Sequence, residues 1–375
     1  MSGRRPLRIV ITGGGTGGHT SPAVAVLEAL RAREPGLEAI WIGKRGSIEE
    51  RVSASVQVPF AAVAAEGWPR GGGLRRIRVL ARLVRGLLQS LWILVRFRPD
   101  AALGVGGYVS LAPLLAAQAL RVPTFLHEQN KRLGLANRLL ARRARRLYLS
   151  FEDTLGMPPG ASATLTGNPV RAGFRNPPEA AEARRQLEFD REVPLVLVVG
   201  GSQGAQSINR AVNGYTQRIR RNDVQLLWMT GPAEYEKARL AASASEAAVI
   251  ARPFIDDMVT ACAAADLLVC RAGASTTAEL ACLGKPALLI PYPHAADDHQ
   301  ADNARALEAA GAAVVLRDAD CTPETLGDAV GALLADRAGL ARMGAAARAL
   351  GRPEAAAAIA GDLLAALGRG AADTA

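Results

Sequence analysis

Both halves of this 375-residue chain run the same course. Short apolar segments of strand character alternate with helical stretches, and each half opens on a strand that runs straight into a glycine loop. The predicted strands are 7–12, 39–42, 101–105, 124–127 and 146–149 in the first half. In the second half they are 195–199, 225–229, 267–270, 287–290 and 313–316. Continuous apolar strands separated by helices belong to parallel sheets covered on both faces, so the pattern predicts an α/β chain with two doubly wound, Rossmann-like domains. The length also exceeds what one hydrophobic core usually organises. With 49 % of residues apolar and 21 % charged, enough apolar surface is present to offset chain entropy.

Pro and Gly interrupt both periodicities in Thr166-Gly167-Asn168-Pro169-Val170-Arg171 and again at Pro177-Pro178, which places a domain boundary near Val170. The expected domains are therefore 1–170 and 171–352, followed by an Ala/Leu-rich helical stretch within 353–375 and a Gly/Ala tail expected to fray. Cys262, Cys270, Cys282 and Cys321 form no CxxC pair and share no metal-ligand spacing with the four histidines, so neither a zinc site nor a disulfide framework is expected. That fits a reducing cytoplasm, and the N-terminus enters its first strand without the apolar core of a signal peptide, so secretion by that route is not expected.

The net charge of +10 is concentrated in the first half. Between Gly73 and Pro99, seven arginines (75, 76, 78, 82, 85, 96 and 98) are interleaved with leucines, isoleucines, valines and Trp92. The longest uncharged run, Gly86 to Val95, is about half of the ~20 residues that a membrane span needs. Two readings stay open: a core helix with a solvated arginine face, or a helix that lies on a bilayer surface. A second basic cluster follows from Lys131 to Arg146. Nucleic acid is not an expected partner, because no aromatic-rich strand, helix-turn-helix or zinc module accompanies the arginines.

Gly13, Gly15 and Gly18 satisfy GxGxxG between a strand and a helix, where backbone amides suit a phosphate. A dinucleotide site also wants an acid at the end of the second strand, and Ile42 is followed instead by Gly43-Lys44-Arg45. That argues against a dehydrogenase. His19 follows the glycines directly, either as a group that acts on a bound substrate or as a helix-starting histidine bonded to backbone. The second loop, Gly200 to Ala205, offers Ser202, Gln203 and amides to a diphosphate. Beyond the strand at 267–270, Ser275 stands near a helix start with Glu279 one turn along, a pair suited to a phosphate and a ribose, although capping alone also accounts for Ser275. Asp318-Ala319-Asp320 has the DxD form of metal-dependent sugar transferases, but a lone DxD before Thr-Pro reads as a surface turn, and neither a metal nor a cofactor is expected.

Taken in order, GGGTGGH (13–19), GGYVS (106–110), HEQN (127–130), GNPVR (167–171), GGSQGA (200–205), FIDDM (254–258), CRAGASTTAE (270–279) and PYPHAADDHQADNA (291–304) span nearly the whole chain. The set resembles the undecaprenyl-pyrophosphoryl-muramyl-pentapeptide N-acetylglucosaminyltransferase family of GT-B enzymes. The resemblance implies two Rossmann-like domains facing a cleft, an N-terminal acceptor and membrane domain onto which the C-terminal helix packs back, and a UDP-sugar domain. It implies that UDP-N-acetylglucosamine meets Ser202, Ser275 and Thr276 through its phosphates, Ile255 through uracil, Glu279 through ribose and Gln300 through sugar hydroxyls, with Ala274 and Thr277 also in the donor site. Donor contacts to Thr16, Gly17, Gly18, Asn130 and Arg171 carry over as well, while Gly14, Gly15 and Tyr108 are expected on the acceptor side. The acceptor is lipid I, whose MurNAc 4-hydroxyl takes the sugar with inversion, giving lipid II. One base is needed, with His19 the first choice and Glu128 the second. The family usually carries Pro-Gly or Ala-Gly where this chain reads Arg132-Leu133-Gly134. An anionic lipid acceptor favours the bilayer reading of the basic helix and an anionic membrane surface as partner, at the cytoplasmic face. Competing readings are another GT-B enzyme, such as a glycolipid glycosyltransferase or a UDP-N-acetylglucosamine 2-epimerase, and a nucleotide-sensing membrane protein without turnover.

Overall fold

A computed structural model describes residues 5–15, 17–67, 73–295 and 298–369. The chain forms two compact units, Met1–Arg171 with Glu354–Ala375, and Ala172–Pro353. Among the candidate residues, Thr16 lies outside the described residues, as does the tail from 370 onward.

The first unit holds β1 (Arg8–Thr12), α1 (Gly17–Arg33), β2 (Glu38–Gly43), α2 (Ile48–Ser55), β3 (Phe60–Ala62), α3 (Leu74–Phe97), β4 (Ala101–Gly104), α4 (Leu111–Ala119), β5 (Thr124–Glu128), α5 (Leu135–Leu140), β6 (Arg146–Leu149) and β7 (Ala163–Leu165). All neighbours pair in parallel, in the order β3-β2-β1-β4-β5-β6-β7. Alternation along each strand feeds two cores. Ile9 and Ile11 of β1 join Val26, Leu27 and Leu30 of α1, whereas Val10 joins Ile93 and Leu94 of α3 and Leu114 of α4.

The second unit holds α6 (Ala180–Gln186), β8 (Leu195–Val199), α7 (Gln206–Tyr215), β9 (Gln225–Met229), α8 (Tyr235–Ala244), β10 (Val249–Arg252), α9 (Met258–Ala264), β11 (Leu267–Cys270), α10 (Ala274–Leu283), β12 (Ala287–Leu289), α11 (His299–Ala309), β13 (Ala313–Val315), α12 (Pro323–Ala335) and α13 (Arg337–Leu350). Its six strands are parallel in the order β10-β9-β8-β11-β12-β13. Val196, Val198, Leu226 and Trp228 pack against Ile208 and Val212 of α7 and Leu326 and Val330 of α12. The buried Trp228 indole N–H donates to Asn209 Oδ1 at 3.0 Å, so its one polar atom is satisfied.

The last helix, α14 (Ala355–Ala366), belongs to the first unit. Ile359, Ala360, Leu363 and Leu364 enter the same core as Ile9 and Leu30. Tyr148 donates its hydroxyl to Asp362 at 2.8 Å, and Arg146 stands 3.4 Å from the same carboxylate.

Helix α3 buries Val79, Ser90, Ile93 and Leu94, and an added Cβ on Gly86 would lie 2.3 Å from the Ala64 carbonyl, so glycine is what lets the helix sit this close. Its outward face is not simply a solvated row of arginines. Ile77, Leu80, Val84, Leu88, Trp92 and Val95, spaced at three and four residues, are 51–65 % exposed. Arg78 and Arg82 pair with Glu66 at 3.4 and 3.0 Å, and Arg96 covers the Trp92 ring at 5.6 Å. Leu135 and Leu139 of α5 are exposed as well. Among the described residues no helix is long and apolar enough to cross a membrane.

Candidate active site

In a parallel sheet every strand ends at the same edge, so the loops that carry the motifs gather there. In the first unit that edge collects the loops after β1, β4 and β5. The glycine loop closes against the loop after β4: Gly14 N–H donates to Gly106 O at 3.3 Å, and an added Cβ on Gly107 would lie 2.3 Å from Gly14 O. Gly15 is exposed beside Tyr108, itself 40 % exposed, and burial raises the Tyr108 phenol above its ordinary range, helped by the nearby Glu49 and Glu66 carboxylates. Gly17 opens α1, and Gly18 and His19 follow it half-buried. His19 thus stands at a helix start, beside the glycine loop, with its ring edge near Gly106.

Glu128 ends β5 at 2 % exposure. Its Oε1 accepts from Asn130 N–H at 3.1 Å and Asn130 Nδ2 at 3.2 Å; its Oε2 accepts from Gly134 N–H and Asn137 Nδ2, both at 2.9 Å. Burial raises the carboxyl above the usual range, against the lowering by these four donors. Such a group organises the loop from 128 to 137 and positions Asn130. Arg132-Leu133-Gly134 meets its place without special backbone: Gly134 has φ −64°, and Leu133 N–H donates to Leu155 O at 2.8 Å. His127 is fully buried, with Nε2 donating to Gly167 O at 3.2 Å. Burial, the largest effect, lowers its pKa to about 4 together with the proximity of His19, against the raising effect of the bond to Gly167. Arg171 is exposed at the end of the unit, four positions beyond Gly167.

In the second unit the edge collects Ser202 after β8, Ile255 after β10, Ala274–Thr277 after β11 and Gln300 after β12. Ser202 is exposed, ahead of the N-terminus of α7. Asp257 caps α9, accepting from Thr260 N–H at 3.0 Å and its hydroxyl at 2.6 Å, which fixes the turn holding Ile255 at 9 % exposure. Ala274, Ser275 and Thr276 form the first turn of α10, half-buried, with Glu279 one turn along. Thr277 is 3 % exposed and donates its hydroxyl back to Gly273 O and Ala274 O at 3.2 and 3.0 Å, so its side chain serves the helix start. Gln300 Oε1 accepts from Tyr292 N–H at 3.0 Å, shaping the loop after β12.

Arg271, which the sequence shows only as part of a motif, ties this edge together. Its guanidinium donates to Ile290 O at 3.0 Å, Pro291 O at 3.3 Å, Asp318 Oδ1 at 2.5 Å and Ser207 Oγ at 2.9 Å, and faces the Tyr292 ring. Asp318 of the DxD is therefore an anchor for Arg271, while Asp320 pairs with Arg317 at 2.6 Å. Among the described residues no group of three or more His, Cys, Asp or Glu is arranged to hold a metal ion.

Residues 9–149 match the glycosyltransferase family 28 N-terminal domain, and residues 195–359 match the glycosyltransferase family 28 C-terminal domain. The chain is 42 % identical over 353 residues to the UDP-N-acetylglucosamine--N-acetylmuramyl-(pentapeptide) pyrophosphoryl-undecaprenol N-acetylglucosamine transferase of Nitratidesulfovibrio vulgaris strain Hildenborough, covering 94 % of this chain and 95 % of that one. It is 41 % identical to the transferase of the same name from Syntrophotalea carbinolica, covering 92 % and 95 %. Among solved structures it superposes on Acinetobacter baumannii MurG with a TM-score of 0.78 at 28 % identity, covering 96 % and 99 %. The UDP-GlcNAc 2-epimerase of Neisseria meningitidis, at 14 % identity and a TM-score of 0.65 over 96 % and 100 %, shares the fold alone. With near-full-length identity to these transferases and both domains of the family in order, the chain belongs to glycosyltransferase family 28, among the pyrophosphoryl-undecaprenol N-acetylglucosamine transferases.

Proposed function

We propose that this chain transfers N-acetylglucosamine from UDP-N-acetylglucosamine to the 4-hydroxyl of the MurNAc-pentapeptide of lipid I, giving lipid II with a β-(1→4) bond in peptidoglycan synthesis. The observation that carries the reading is a half-buried imidazole at the start of α1, beside a glycine loop, in a chain 42 % identical to a pyrophosphoryl-undecaprenol N-acetylglucosamine transferase. The donor is α-linked and the product β-linked, so one displacement with inversion suffices. His19 takes the hydroxyl proton as the oxygen attacks the anomeric carbon, and UDP departs with the electron pair. Glu128 acts as a positioning residue, since all its hydrogen-bond positions are engaged by loop donors. Gly14, Gly15 and Tyr108 serve the acceptor side, and the backbone at Gly17 and Gly18 with Asn130 and Arg171 assists the donor.

On the second unit, Ser202, Ser275, Thr276 and the N-termini of α7 and α10 receive the diphosphate, where aligned amides favour negative charge. Glu279 takes the ribose, the backbone at Ile255 the uracil and the free amide group of Gln300 the sugar. Incubating the protein with radiolabelled UDP-N-acetylglucosamine and a short-chain lipid I analogue tests the reading. Label entering the lipid is expected; UDP release or epimerisation without lipid labelling would overturn it.

The exposed apolar stripe of α3, flanked by arginines, docks the first unit on the anionic cytoplasmic leaflet that holds the acceptor. Replacing Leu88 and Trp92 together by Glu is expected to lower cosedimentation with anionic vesicles by roughly tenfold or more. Unchanged sedimentation would contradict this docking face.

A further inference from the structure

Three side chains converge behind Gly106. A Cβ added there would lie 3.3 Å from His19 Cδ2, 3.6 Å from Asn137 Nδ2 and 3.6 Å from Gln129 Oε1. Gln129 is 2 % exposed, and its Nε2 donates to Val105 O at 2.6 Å. That bond to a carbonyl fixes which end of the amide is nitrogen, so Oε1 points away from Val105. Asn137 is fixed in the same way, with Nδ2 spent on His127 O at 3.0 Å and Glu128 Oε2 at 2.9 Å. Neither Gln129 Oε1 nor Asn137 Oδ1 has a hydrogen-bond partner among the described residues. A buried acceptor left without a donor is costly, so an oxygen held in that state by a fixed amide points to a donor that arrives in the working enzyme.

The imidazole of His19 is the donor-bearing ring at the same corner. Rotating the ring by 180° about χ2 exchanges Cδ2 for Nδ1 at the edge facing Gly106, which turns a ring N–H to the corner where Gln129 Oε1 also lies. We propose that Gln129 is a positioning residue for His19: its side-chain oxygen accepts one imidazole N–H, which leaves the other ring nitrogen to take the acceptor's proton. The inference rests on the reading of His19 as the base. When the acceptor oxygen bonds to the anomeric carbon and UDP leaves with the electron pair, the proton moves to His19, and the resulting imidazolium keeps its second N–H on Gln129. The other titratable groups around this corner are His127 and Glu128 of β5, Glu49 of α2 and Tyr108 after β4. His127 is already bonded to Gly167, and Glu128 is filled by four donors. Glu49 lies beneath Gly14, with its carboxylate unpartnered among the described residues.

The test follows the His19 ring nitrogens by NMR in the full chain labelled with 15N-histidine, assigned by their loss in His19→Ala. In Gln129→Met, which keeps the side-chain length and removes the oxygen, the His19 titration midpoint is expected to fall by roughly half a pH unit or more. In Gln129→Glu it is expected to rise, because the acceptor now carries charge. A midpoint unmoved in either folded variant would overturn the proposal. With both substrates saturating, Gln129→Met is also expected to turn over about tenfold more slowly or worse. The two readings fail separately. Near-normal turnover of His19→Ala would remove the base assignment, whereas the NMR midpoint reports on the Gln129 contact without any reaction.

Discussion

The loop at 13–15 leans on the loop after β4, across the point where the strand order of its sheet reverses; the loop at 200–204 leans the other way, on the loop after β9. In the first case Gly14 bonds to Gly106, and glycine at 107 is required by the 2.3 Å approach of Gly14 O. In the second, an added Cβ on Gly204 would lie 2.1 Å from Thr230 O. The first brace gathers titratable groups, with His19, His127, Glu128 and Tyr108 all near it. The second leaves the β8–β11 side to the hydroxyls of Ser275 and Thr276 and the start of α10. Under the proposed function, one strand–glycine–helix unit is used twice, for proton transfer in one copy and for holding a leaving diphosphate in the other.

The sharpest way to break this comparison is at its chemical end. His19→Ala is expected to lower kcat by roughly 10²–10⁴-fold with the KM for UDP-N-acetylglucosamine little changed, whereas Ser202→Ala is expected to raise that KM only a few-fold. Comparable kcat losses in both would erase the distinction. Next come the matched glycines. Gly107→Ala and Gly204→Ala each force a Cβ onto a backbone carbonyl at positive φ, of +80° and +79°. At about 1–3 kcal/mol of strain apiece, steady-state kinetics should show roughly tenfold effects, on the lipid KM for the first and on the donor KM for the second. Crossed effects would reverse the assignment. Glu279→Gln, on the donor side, is expected to raise the donor KM by about tenfold, a loss that UDP binding measured by calorimetry should reproduce.

The smallest effect concerns pH. His127 has a pKa of about 4 when folded, against 6.5 when free, so between these values the unfolded chain binds protons more readily. Stability present above pH 6.5 is therefore lost as the pH falls toward 4, and then levels off. Melting curves of His127→Gln should show a shallower decline over that window than the parent protein. Equal slopes would show that His127 is not the group responsible.

Much of the architecture was legible because alternation reports burial on both faces. Each of the ten predicted strands is a strand, with ends displaced by at most one residue. The strands that the pattern missed, β3, β7 and β10, all lie at sheet edges. Phe60–Ala62 and Ala163–Leu165 are only three residues long, too short to set a strand pattern, and Ala163–Leu165 is exposed throughout, as an edge strand with a solvated side can be. The candidate site was legible where a motif keeps its residues adjacent, as at 13–19 and 270–279. Arg271 was visible as a letter but not as a clamp, because its partners Ser207, Ile290 and Asp318 are remote in sequence. Gln129 and Asn137 were hidden for a similar reason: their significance lies in which amide end is already spent, and that depends on Val105 and Glu128. For α3, the sequence supplied the arginines and the apolar residues; which of them face outward was set by Gly86 and the packing against Ala64.

The most direct measurement is on His19→Ala: calorimetric binding of UDP-N-acetylglucosamine, followed by a single-turnover transfer of labelled sugar to a short-chain lipid I analogue at saturating concentrations. Donor binding equal to that of the parent protein, with transfer slowed by two orders of magnitude or more, is the expected result. Normal transfer, or a donor affinity that falls in step with the rate, would contradict the division of labour between the two glycine loops.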